Sequence, residues 1–183
     1  FVVNEIFRRN MENVNNSLIQ ASMRYGFPLG MFWVFKYLFY MGSLKYPFLV
    51  TIYWGMSFVV PYLAYLLTKK YRNDLGGNIS FFRAWQFGIF IYFFAALIVA
   101  VMHYIFYRFV APPDFVKSAI NQTLESLAQL QADSKVIQSF KSLDFSPINM
   151  ALQGILNNVF YGIIFSIPVA ALLCRNNQTG SVK

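Results

Sequence analysis

Residues able to do chemistry inside this chain are few, and they gather on two apolar stretches: His103 and Tyr104 on one, Gln153, Asn157 and Asn158 on the other. An imidazole beside carboxamides can pass a proton or hold a small polar solute. In apolar surroundings such a cluster is either a pathway or an interhelical hydrogen-bond clasp worth ~1 kcal/mol. His103 is the only histidine and Cys174 the only cysteine, so an ordinary zinc site and a disulfide framework are both excluded. No Asp or Glu lies inside an apolar stretch, which leaves general acid–base pairs and carboxylate-driven proton coupling without their parts. There is no Gly-x-Ser-x-Gly, no phosphate-cradling glycine loop and no dinucleotide-binding turn. The expectation is a protein that is not an enzyme, with no cofactor and no metal.

The elements that must position these residues are four apolar runs, about 18–41, 46–68, 82–110 and 147–174. Each is long enough to cross a hydrocarbon layer about 30 Å thick, which takes ~20 helical residues, and in lipid the backbone must satisfy itself within the span. With 57% hydrophobic and 12% charged residues, the chain is expected to be all-α: one polytopic membrane domain over residues 1–183, built as a four-transmembrane-helix bundle. The first run is a full span in length with no small-residue cleavage pattern after it, so it is expected to be retained rather than removed as a signal.

The formal charge of +8 does not point to nucleic acid, because the cations sit at the ends of the runs instead of along one polar face. Nine of the fifteen basic residues (Arg8, Arg9, Arg24, Lys69, Lys70, Arg72, Arg83, Arg175 and Lys183) fall on the side shared by both chain ends, and five on the other. The positive-inside rule makes the first side cytoplasmic. Lys36, inside the first run, is expected to snorkel outward among Tyr37 and Tyr40. The segment from Lys69 through Arg72 to Gly76-Gly77, with Arg83 just beyond, forms a short basic reversal that suits anionic headgroups or an acidic patch on a protein partner.

Residues 112–146 carry helical period. Pro112-Pro113-Asp114 starts one helix, with Val116, Ile120, Leu124, Leu127 and Leu130 at spacings of three and four, and Asp133-Ser134 starts a second. Two amphipathic helices are expected there, on the outer side of the membrane or over the mouth of the bundle.

Helices in lipid associate through close approach of small residues. Gly154, Asn158, Gly162, Ser166 and Ala170 recur every fourth residue in the last run; Ala84, Gly88, Ala96 and Ala100 line one side of the third; Gly26 and Gly30 form a Gly-x-x-x-Gly pair in the first. These faces are expected to form the interior seam, with the second run, bearing Gly55 and Pro61, on the remaining side. Pro28, Pro61 and Pro168 are expected to bend their helices.

In Gly76-Gly77-Asn78-Ile79-Ser80-Phe81-Phe82-Arg83-Ala84 with Gly88, in Ala111-Pro112-Pro113-Asp114-Phe115, and in the stretch from Gly162 to Ala171, the chain resembles the bacterial membrane family called domain of unknown function 4199. Pro168 departs from the pattern. The resemblance covers most of the chain and implies a four-span inner-membrane protein with a helical insert before the last span. It also implies company with cytoplasmic-face glycosyltransferases that use polyprenyl-phosphate lipids. Two functions follow as expectations. One is a scaffold, anchor or accessory subunit that contacts membrane lipids and either a protein partner or further copies of itself. The other is a small transporter or lipid-handling protein using the polar cluster.

Overall fold

A computed structural model of the chain describes residues 2–175, with side chains from 17 to 174. Among the described residues the structure is entirely helical: α1 (Val2–Gly42), α2 (Leu49–Asp74), α3 (Phe81–Ile105), α4 (Phe115–Gln129), α5 (Ser134–Lys141) and α6 (Pro147–Arg175). The side chains of Arg8, Arg9 and Arg175, and all of Lys183, lie outside the described residues, so four of the nine cations used for orientation have no structural counterpart.

Local chemistry sets the ends. The Ser80 hydroxyl accepts from the Arg83 amide at 3.4 Å where α3 begins, and the Asp133 carboxylate accepts from the Lys135 amide at 2.8 Å at the start of α5. Asp144 takes the Ser146 amide at 2.9 Å and the Asn149 side-chain amide at 2.6 Å, leading into Pro147 as the first residue of α6, where a missing N–H costs nothing. After Ile105 the chain widens into one π-helical turn, Phe106–Val110, closed by the Ala111 amide on the Phe106 carbonyl at 2.8 Å. The basic segment at 69–74 continues α2 instead of leaving it. Lysine and arginine are good helix formers, and the helix stops only at Gly76 (φ +84°) and Gly77 (φ +89°). Gly77→Ala should lower stability by about 1 kcal/mol, because a Cβ is strained in the left-handed region even with open space around it. Thermal unfolding in detergent checks this, and an unchanged midpoint would contradict it.

Helix α3 is the centre of the bundle, packed between α1 and α6, while α2 packs chiefly on α1. Helix α1 runs parallel to α3: Gly26 lies against Phe94, Gly30 against Ala95 and Ile98, and Tyr37 against Phe106. Helices α2 and α6 run the opposite way, as Lys36 to Ser57 and Gly154 to His103 show. The small-residue faces lie at the closest approaches. A Cβ on Gly88 would come within 2.5 Å of the Ser166 Cβ, one on Gly162 within 2.6 Å of the Tyr92 Cβ, and one on Gly26 within 2.8 Å of the Phe94 Cβ. Ala84, Ala96 and Ala170 are buried in the same seam, and Gly55 meets nothing within 4 Å, in keeping with the peripheral place of α2. Near Pro168, whose ring cannot donate to the Ile164 carbonyl one turn earlier, the Trp85 indole donates to the neighbouring Ile163 carbonyl at 3.1 Å.

Three helical segments, Leu49–Asp74, Phe81–Val110 and Pro147–Cys174, are long and apolar enough to cross a membrane. Helix α1, expected as the fourth span, falls short on hydropathy despite its length. Arg24, Pro28 and Lys36, with the half-polar rings Tyr25, Trp33, Tyr37 and Tyr40, dilute its apolar content. The outward faces are strongly apolar, with Phe58, Phe82, Phe109 and Trp54 exposed, a surface that calls for lipid rather than water. Helices α4 and α5 occupy the insert and bury no residue completely.

Candidate functional site

Leu29, Trp33 and Tyr37 recur every fourth residue on α1 and are buried on its inner face, and Lys36 stands on the flank of that stripe. Instead of snorkelling outward, the Lys36 ammonium turns across to α2. It donates to the Ser57 hydroxyl at 3.0 Å and lies 4.5 Å from the centre of the Tyr53 ring. The His103 ring is held between two surfaces. Tyr37 packs on it at 4.5 Å between centroids, and on the other side it lies so close to α6 that a Cβ on Gly154 would sit 2.5 Å from its Nδ1. Gly154 is therefore a glycine for the sake of this ring. Phe106, fully buried, closes the floor edge-on to Tyr37 and Tyr40.

Between these groups is a cavity of about 50 Å³, lined by Trp33, Lys36, Tyr37, Tyr53, Val99, His103 and Asn158. That is room for a few water molecules or one small polar group. The Trp33 indole N–H is buried without a hydrogen-bond partner. The Lys36 ammonium, the Asn158 amide and the His103 ring give the cavity a polar lining that favours a polar occupant.

Of the five residues in the expected polar cluster, the structure brings His103 and Asn158 to the same cavity. No direct bond between them was found among the described residues, so they border a space instead of clasping. Gln153 and Asn157 are exposed and bonded to each other at 3.2 Å along α6, with Gln153 facing a groove of about 490 Å³ between α5 and the start of α6. Tyr104 is exposed on a different face of α3 from His103. The reason is angular: neighbours in sequence diverge by about 100° on a helix, and here that rotation turns Tyr104 and Asn157 away from the cavity that His103 and Asn158 line. Lys36, Trp33 and Tyr53 were not foreseen in this site. The signal was present in the spacing Trp33, Lys36, Tyr37, Tyr40, which puts all four on or beside one face.

At the opposite end, the four basic candidates divide. Arg72 donates from Nε to the Gly77 carbonyl at 2.7 Å and so ties the turn. Arg83 donates from Nε to the Tyr71 hydroxyl at 3.2 Å. Tyr71 is stacked on Phe87 at 4.0 Å and 7°, and the Tyr25 hydroxyl bonds the Asp74 carboxylate, so α1, α2 and α3 are pinned together at this corner. Lys69 and Lys70 stay exposed, Lys70 with its ammonium 5.8 Å from the Tyr25 ring.

No group of three or more His, Cys, Asp or Glu residues able to hold a metal occurs among the described residues. Long apolar helices locked through glycine and alanine, with apolar faces turned outward, define a multi-pass α-helical membrane protein. The family model of the protein of unknown function DUF4199 matches residues 24–175, and the chain belongs to that family of bacterial membrane proteins. No curated protein and no solved structure matches the chain.

Proposed function

We propose that this is a non-catalytic four-span protein of the bacterial inner membrane, with both chain ends cytoplasmic, that anchors or assists a membrane-associated enzyme at the cytoplasmic face. The fourth span is α1. Its contacts with α3 run from Tyr25 on Phe87 to Tyr37 on Phe106, about 18 Å of helix at 1.5 Å per residue. A helix lying alongside a spanning helix over that length shares its depth. Neighbouring helices can shelter the polar residues of α1 that hydropathy alone counts against it.

The observation that carries the docking role is the corner between α2 and α3. Arg72 ties the backbone of the turn and Arg83 holds the Tyr71 hydroxyl, and two lysines are presented on that frame. A rigid basic surface loses little entropy on binding an acidic partner. Lys69→Glu with Lys70→Glu tests it, leaving Arg72 and Arg83 in place so that the corner still folds. In gently extracted membranes a stoichiometric partner held by the unaltered chain should be weakened about tenfold or more at moderate salt. Retention of the same partner at the same stoichiometry by the double variant would rule this surface out.

A second reading, the handling of a solute or lipid, is favoured by the cavity at the other end of the bundle.

A further inference from the structure

We propose that the cavity where α1, α2, α3 and α6 meet binds a phosphate group. This deepens the second reading above and is independent of the docking role, which concerns the other end of the bundle. The lining is rich in polar groups. Lys36 offers three N–H groups and spends one on Ser57, Asn158 adds a side-chain amide and His103 a ring nitrogen. Nothing acidic answers them. The chain's seven Asp and Glu residues all lie outside the four apolar runs, so Lys36 is a cation within a span with no carboxylate to pair with. A charge in that setting is costly, and a ligand that brings the opposite charge lowers the cost.

The donors come from three helices around one space, which suits a tetrahedral group with several acceptor oxygens better than a flat carboxylate with two. Size and depth agree. The cavity holds about 50 Å³, and Lys36 is six residues from the end of α1 at Gly42, about 9 Å along the axis, within reach of the headgroup region. The phosphate can belong to a lipid headgroup or be free in solution.

Saturable binding to the full chain in maltoside micelles is the test, with radiolabelled inorganic phosphate and short-chain phosphatidylglycerol as the two probes. Saturable uptake of inorganic phosphate assigns a free anion. Uptake of phosphatidylglycerol that inorganic phosphate does not displace assigns a lipid. Lys36→Met should weaken the bound probe about tenfold or more, and Lys36→Arg should retain most of the binding. Asn158→Ala removes a side-chain amide from the lining and should weaken binding about threefold to tenfold. That variant decides the matter if Lys36→Met does not yield a monodisperse protein. Lys69→Glu with Lys70→Glu should leave this binding unchanged. No saturable binding of either probe, or full binding by Asn158→Ala and by any folded Lys36→Met, overturns the proposal.

Discussion

Gly88→Ala is expected to destabilise the bundle by about 1–3 kcal/mol, and Ser166→Gly in the same chain to restore most of that loss. The added methyl would meet the Ser166 Cβ at 2.5 Å, an atom fixed to the α6 backbone that cannot swing aside, so the two helices would have to separate along their whole shared seam. Removing the serine side chain frees the space the alanine needs. Gly162→Ala should be at least as damaging, because its methyl would meet the Cβ and Cγ of Tyr92 at 2.6 and 2.9 Å, and Tyr92 is itself buried against Trp33. Ser166→Gly should not rescue it, since the obstruction is a different residue. Thermal unfolding of the purified protein in one detergent, followed by circular dichroism, reads the four variants beside the unaltered chain. Equal midpoints for Gly88→Ala and the unaltered protein would show that α3 and α6 do not approach this closely.

The second large effect lies at the basic corner. Tyr71→Ala removes a ring that is 3% exposed and stacked at 4.0 Å on Phe87, and should cost about 3–5 kcal/mol; Tyr71→Phe keeps the stack, loses only the acceptor for Arg83, and should cost about 1 kcal/mol. The gap between the two variants separates packing from hydrogen bonding. It also bears on docking, since Tyr71 is one of the residues holding the frame that presents Lys69 and Lys70. Tyr71→Ala should therefore weaken partner binding without touching either lysine, whereas Tyr71→Phe should leave it nearly intact. Comparable losses from both would mean that the hydroxyl, not the ring, organises the corner.

How far the amino-acid order could be read depended on whether a feature was local. Helix ends follow short-range rules: the second insert helix starts at Asp133 as expected, Gly76-Gly77 ends α2, and the structure adds Ser80 as the cap of α3 and Pro147 as the first residue of α6. The small residues every fourth position announced faces where backbones can touch, and Gly88, Gly154 and Gly162 lie at such contacts. The hydropathy of α1 is less plain, because Tyr25, Trp33, Lys36 and Tyr37 are turned toward other helices while Arg24 is exposed.

The polar site shows the same division. Its helices could be named from sequence, and two of its members, His103 and Asn158, were among the five candidates. Tyr104, Gln153 and Asn157 lie on other faces, because position on a helix face is set by rotation, and rotation is set by which neighbours a helix meets. Lys36 looked like a residue that escapes to the surface until α2 was found to bring Ser57 and Tyr53 to it.

What the amino-acid order determined by itself is the kind of object: apolar helices for a membrane, basic ends, faces of small residues, and an interior poor in acids. Those are properties of composition and period, which need no partner to exist. Which cations are committed and which are free, which glycine makes room for which ring, and where donors without acceptors collect were decided only by the tertiary structure. Each of those depends on contacts between residues far apart in the chain, and such contacts come into being only when the helices pack.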